Sequence, residues 1–127
     1  MSGQVAAIIG AFAYLQLKHF VCDYPLQFGY QLKNKGTYGH PGGMAHAAIH
    51  ALGSTPVFFI LPPTLAMAVV IVVGEWLLHY HIDWTKEAII RSTKWGFADR
   101  GYWQVFGADQ LLHGLTYVGI VTLLCLS

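Results

Sequence analysis

The chain has 127 residues, a length suited to one domain, and residues 1–127 are read as a single integral membrane domain. Hydrophobic residues make up 55% and charged residues only 10%, whereas soluble domains carry about 25% charged residues. That balance excludes an ordinary solvated surface, and a net charge of +1 excludes the basic field of a nucleic-acid-binding protein.

The first stretch, "MSGQVAAIIGAFAYL", lacks the positive flank of a signal peptide and is read as a retained first helix. Four apolar segments follow one another at about residues 5–22, 44–61, 64–82 and 106–126. Each is close to the roughly 20 residues that a spanning helix needs. The polar faces needed to coat a soluble four-helix core are missing. "LPPT" at 61–64 marks a hairpin, because two prolines cannot continue a helix.

The other two connections are long. Residues 24–43 are punctuated by Gly and Pro. Gly42 and Gly43 are expected to free the chain for entry into the second helix, with close substrate approach as the alternative. Residues 84–105 set Trp84, Ile89, Ile90, Trp95 and Phe97 among Lys86, Arg91 and Lys94. That pattern predicts a helix lying at the membrane interface. The expected fold is all-α: a four-helix transmembrane bundle with an interfacial helix in the third connection.

All seven Lys and Arg fall in or beside the two long connections: Lys18, Lys33, Lys35, Lys86, Arg91, Lys94 and Arg100. The positive-inside rule then predicts cytoplasmic long loops and outer N- and C-termini, in a bacterial inner membrane. Trp84, Trp95 and Trp103 would form an aromatic belt at the cytoplasmic border. Cys22 and Cys125 fall near opposite faces and are not expected to pair.

Four motifs share one spacing. "HFVCD" carries His19 and Asp23, "HAAIH" His46 and His50, "HYHID" His79 and Asp83, and "DQLLH" Asp109 and His113. Each is an i,i+4 pair, so its two members share one helix face. Segments one and three end with their pairs, and segments two and four begin with theirs. The predicted topology therefore brings all four pairs to one depth near the cytoplasmic ends.

Neutral imidazole and carboxylate are ligands for first-row metals, and bundle cores hold metals with such side chains from facing helices. Eight candidate ligands exceed the four of one structural zinc. They suit one or two divalent ions, with zinc the first expectation and iron or manganese the second. Glu75 lies one turn from His79 and is a candidate deep ligand, general base or buried acid bonded to a neighbouring helix. Gln27 and Gln110 are candidate donors that orient the ligands. Lys33, Lys35 and Arg100 border the site and would hold an anionic group or serve as topology determinants. His81 and His40 are placed at the periphery and in a loop.

"KHFVCDYPLQ", "KNKG", "HAAIH", "HYHIDWTK" and "DQLLH", in this order, resemble a family of small bacterial and phage membrane proteins, domain of unknown function family 3307. The likeness runs from about residue 15 to residue 117. By the family pattern the matched residues are His19, Asp23, Gln27, Lys33, His46, His50, Asp83, Lys86, Asp109, Gln110 and His113. More distantly, His and Asp pairs on short membrane helices resemble membrane-bound proteins regarded as metal-dependent hydrolases.

The expected function is a metal-dependent hydrolase at the cytoplasmic membrane face, with Glu75 or an unligated Asp as base. Its substrate would be a lipid headgroup or another anionic molecule. Membrane lipid is the expected partner. The alternatives are an accessory subunit of a larger membrane complex stapled by metal, contacting other membrane subunits, a di-iron-type oxidase, and an ion or proton carrier. The apolar course of the helices beyond Glu75 counts against the carrier.

Overall fold

The computed structural model describes residues 2–127. These form five α-helices and no strand: α1 Gly3–Asp23, α2 Gly29–Asn34, α3 Pro41–Ser54, α4 Leu65–Thr93 and α5 Arg100–Leu126. A 3-10 turn, Thr55–Phe59, follows α3.

Local chemistry accounts for most of the boundaries. The Ser2 side chain accepts from the Val5 N–H to cap α1, and Thr64 accepts from Met67 to cap α4 directly after Pro62 and Pro63. Each satisfies an N–H that the first turn leaves unpaired. The His40 ring accepts from the Gly42 N–H, and Pro41 stands at the first position of α3, where its missing N–H costs nothing.

The expected second segment, 44–61, is corrected at both ends. Its helix begins earlier, at Pro41, and ends at Ser54, because Pro56 forces the tighter 3-10 turn. At 14 residues α3 is about 21 Å long, short of the roughly 30 Å of bilayer hydrocarbon. Among the described residues three helices, not four, are long and apolar enough to cross a membrane: α1, α4 and α5.

The interfacial helix expected over 84–105 does not exist as a separate element. Helix α4 runs unbroken through Trp84 to Thr93 because no Gly or Pro interrupts that stretch, and it stops where Lys94 adopts a left-handed backbone with φ 58°. Helix α5 then starts at Arg100, six residues before the expected position. The short helix α2 was not anticipated in the 24–43 connection.

Among the described residues, α1 packs against α3 and α5, α4 packs against α3 and α5, and α1 and α4 face each other across the axis, with backbones apart and contact only through side chains such as Lys18 and Glu75. Helices α1, α3, α4 and α5 therefore stand in a ring around one axis. Helices α1 and α4 run toward one end of the ring, and α3 and α5 run away from it. The i,i+4 pairs consequently share that end, while the N-terminus of α1 and the C-terminus of α5 share the other.

Away from the pairs the axis is filled by Ala11, Leu15, Val57, Ile71, Tyr117, Ile120, Val121 and Leu124. Val57 comes from the 3-10 turn, which plugs the space left by the short α3. Little of the apolar surface is used up in this way. Only 28%, 22% and 33% of the apolar windows of α1, α4 and α5 are buried.

Helix α2 lies against the start of α3 because two glycines permit it. A Cβ on Gly42 would meet the Tyr30 carbonyl at 3.0 Å and Asn34 Cβ at 2.9 Å, and one on Gly43 would meet Lys35 Cα at 3.1 Å. Close helix packing is thus what these glycines provide. Cys22 and Cys125 are both free.

Two substitutions test this packing. Leu15→Ala is expected to lower stability by about 2–5 kcal/mol through the cavity it leaves, measured by thermal unfolding in detergent. Gly42→Ala is expected to release α2, measured as faster amide exchange over residues 29–34 while α4 stays protected.

Candidate metal centre

The ring of helices brings all eight predicted ligands together at one depth. His19 and Asp23 come from α1, His46 and His50 from α3, His79 and Asp83 from α4, and Asp109 and His113 from α5. All are buried except Asp23, which is partly exposed.

Their donor atoms converge. Asp23 Oδ1 lies 3.3 Å from His46 Nε2 and 3.1 Å from His50 Nε2. Asp83 Oδ2 lies 3.2 Å from His46 Nε2, and Asp83 Oδ1 lies 3.5 Å from His113 Nε2. The rings of His50 and His79 stack at 3.7 Å between centroids, and those of His79 and His113 at 4.1 Å.

Two groups have one ligand atom per residue within 4.8 Å of one another: Asp23, His46, His50 and His79, and separately His79, Asp83 and His113. His79 belongs to both.

The fit to a cation can be tested on atoms left without partners. Both His46 nitrogens, His50 Nδ1, His79 Nε2, Asp83 Oδ2 and Asp109 Oδ1 are buried with no hydrogen bond. His46 Nε2 and Asp83 Oδ2 face each other at 3.2 Å without hydrogen-bond alignment. Unpaired buried polar atoms cost about 1–3 kcal/mol each. Lone pairs that converge in this way are satisfied by a cation placed among them. Ligands at about 2.1 Å from a tetrahedral ion lie about 3.4 Å apart, close to the imidazole–carboxylate spacings here. The residues therefore fit a divalent ion.

His19 is arranged differently. Its Nδ1 lies 2.7 Å from the Tyr117 hydroxyl, and its Nε2 lies 3.3 Å from Gln110 Oε1 and 3.1 Å from Asp23 Oδ2. Gln110 donates its Nε2 to Asp109 Oδ2 at 3.1 Å, which leaves Oε1 as the acceptor facing His19. His19 Nε2 then carries the proton and Nδ1 accepts from Tyr117. With both nitrogens engaged, His19 orients Asp23 instead of offering a free lone pair. Gln27 donates to the Asp23 carbonyl and accepts from Lys35 Nζ at 3.0 Å. Both glutamines thus sit where they steady the site.

Three buried lysines also belong to this interior. Lys18 Nζ donates to Glu75 Oε1 at 2.7 Å, the His50 carbonyl at 3.1 Å and the Tyr117 hydroxyl at 3.2 Å. Lys35 lies 3.7 Å from Asp83 Oδ2. Lys86 lies 3.4 Å from Asp109 Oδ1 and 3.6 Å from Asp83 Oδ1. Four carboxylates face three ammonium groups, so the interior keeps one negative charge in excess when its imidazoles are neutral. Most of the acidic groups are therefore already in ion pairs.

Glu75 lies one layer deeper than the aspartates, engaged by Lys18 and not by the histidines. Lys33 and Arg100 are exposed and stand apart from the cluster, unlike Lys35. His81 is exposed against Tyr38, and His40 caps α3.

Sequence reasoning missed Lys18 and Tyr117 and treated Lys86 as a boundary residue. The signal for Tyr117 was present: it extends the Asp109 and His113 spacing by another four residues. Lys86 is three residues beyond Asp83, on the same face.

A polar cleft of about 180 Å³ opens onto the cluster, lined by Asp23, Gln27, Lys35, Lys86 and Gln110 among others. It gives small molecules a route to Asp23.

The Lys18–Glu75 pair carries its own prediction. Lys18→Met leaves Glu75 as an unpaired buried charge and is expected to cost about 3–5 kcal/mol. Adding Glu75→Leu to the same chain is expected to restore most of that loss, since a buried pair is often replaceable by apolar groups of similar volume. Thermal unfolding of the two variants checks both statements.

No curated protein and no solved structure matches the chain. One family profile does, over residues 11–127, which takes in all eight clustered ligand candidates and the three buried lysines. The chain belongs to the family described as "Protein of unknown function (DUF3307)".

Proposed function

We propose that this is an integral membrane protein that binds one or two divalent metal ions near the cytoplasmic face and uses them for hydrolysis. The observation that carries the reading is the convergence of His46, His50, His79, His113, Asp23 and Asp83, in which several buried imidazole nitrogens and one Asp83 oxygen make no hydrogen bond.

The membrane part rests on three apolar helices with largely unburied surfaces. From Leu65 to Asp83 helix α4 rises about 27 Å, so a bilayer centred on its apolar part puts the aspartates at the inner border. The four surface cations Lys33, Arg91, Lys94 and Arg100 all lie at the site end, which supports a cytoplasmic site end and outer termini by the positive-inside rule. Trp95 and Trp103 are exposed at the same end, as interfacial anchors are.

The ligands would be Asp23, His46, His50 and His79 for one ion, or His79, Asp83 and His113, with His79 serving one ion at a time because a neutral imidazole has a single lone pair. Zinc suits this mixture of imidazole and carboxylate, and iron or manganese follows. A bound divalent ion supplies Lewis acidity: it makes water more acidic and polarises a carbonyl or phosphoryl oxygen.

The chain's own residues would do the remaining work. Asp109 stands outside both ligand groups; its Oδ1 makes no hydrogen bond and is ion-paired with Lys86, and it would take a proton from water as general base. Lys86, 3.4 Å from it, holds that carboxylate in place and offers positive charge to an anionic substrate. Gln110 fixes the other Asp109 oxygen and His19 together.

Elemental analysis of protein purified without chelator is expected to find about one to two metal ions per chain, and fewer in His46→Ala and Asp83→Ala. Asp109→Asn is expected to retain metal while losing about 10²–10³-fold in the hydrolysis of a chromogenic phosphoester. Metal-free wild-type protein would sink the reading. Metal with full turnover in Asp109→Asn would remove Asp109 from the role of base.

A further inference from the structure

The outer face of the bundle between α4 and α5 carries an apolar groove that the hydrolase reading leaves unused. It consists of two adjoining cavities of about 240 and 460 Å³ that share Leu78, Ile82 and Leu112. Along α5 the lining runs from Val105 to Leu123, about 27 Å of helix. That exceeds the roughly 15 Å of hydrocarbon in one leaflet.

One end of this groove is not apolar. Lys86 and Asp109 line it there. Lys86 also lines the polar cleft on the other side, with Asp23, Lys35 and Gln110. A single buried lysine therefore stands between a lipid-facing channel and the aqueous mouth of the metal cluster.

We propose that the substrate is a phospholipid with an anionic headgroup, its acyl chain lying in the α4–α5 groove and its phosphate at Lys86 and Lys35. This rests on the reading of the site as a metal-dependent hydrolase and names its substrate class. The charges are complementary: Asp23, Asp83 and Asp109 against Lys35, Lys86 and one divalent ion leave one positive charge for the phosphate. The groove supplies apolar contact along the chain, so recognition needs both ends of an amphiphile. A free phosphate would use only the cleft.

The test is native mass spectrometry of the full chain released from detergent micelles containing dioleoyl phosphatidate or dioleoyl phosphatidylcholine, with metal content measured on the same samples. Wild-type protein is expected to retain phosphatidate about fivefold over phosphatidylcholine. Lys86→Gln should bring that ratio close to one. Gly119→Phe fills the groove, since no atom lies within 4 Å of a Cβ built there. It should lower retention of phosphatidate about tenfold with metal content unchanged. Gly10→Phe, equally unobstructed but on α1, should bind as wild type does.

Equal retention of the two lipids by wild type, or unchanged binding in Gly119→Phe, would overturn the proposal. So would displacement of the lipid by glycerol 3-phosphate at equal concentration, or a lipid-free dimer occupying the groove. Loss of metal with the lipid preference intact would remove both the hydrolase reading and the charge balance used here; metal retained without lipid preference would count against this proposal alone.

Discussion

Carboxylates inside an apolar bundle must each find positive charge, and this constraint organises the molecule. Glu75 finds it in Lys18, and that pair is tied to Tyr117 and the His50 carbonyl. This layer separates an apolar core of Leu15, Ile71 and Ile120 from the histidines and aspartates above. The aspartates find only looser partners: Lys35 and Lys86 approach Asp83 and Asp109 at 3.4–3.7 Å, and no lysine is paired with Asp23. Buried imidazoles crowd the remaining space. An interior with tight ion pairing at one level and unpaired donor atoms at the next is built for two purposes, and the upper level has the chemistry of a cation site.

The ring arrangement makes this possible with a short chain. Helices α1, α3, α4 and α5 each present one i,i+4 pair, and alternating direction puts every pair at the same end. Helix α2 and the Gly42–Gly43 contact place Lys35 over the cluster. His19 then serves a supporting role: Tyr117 on one nitrogen and Gln110 with Asp23 on the other fix its tautomer, which in turn orients Asp23. The apolar groove and the polar cleft approach the same layer from two sides and meet at Lys86.

Much of this was legible in the sequence because a spacing of four needs only a helix to become a shared face. The motifs beginning at His19, His46, His79 and Asp109 therefore gave the composition of the cluster before any fold was known. The lengths of the elements were harder. Pro56 ends α3 inside an apolar run that looks continuous, and nothing in 84–93 breaks α4, although its amphipathic pattern imitates a separate surface helix. The lysines were least legible. Lys18, Lys35 and Lys86 resemble the boundary charges Lys33 and Arg100, and only tertiary packing distinguishes a buried counter-ion from a solvated one. Glu75 shares the face of the histidines, and of its three readings, ligand, base or buried acid bonded to a neighbouring helix, the Lys18 contact matches the last.

X-ray absorption at the metal edge, on protein purified without chelator in detergent, tests the central claim most directly. The arrangement predicts nitrogen and oxygen ligands at about 2.0–2.2 Å, with the scattering signature of several imidazoles. That signature should weaken sharply in His79→Ala, because His79 is common to both ligand groups. A folded protein with no metal edge, or the spectrum of a hydrated ion unaltered by His79→Ala, would contradict it.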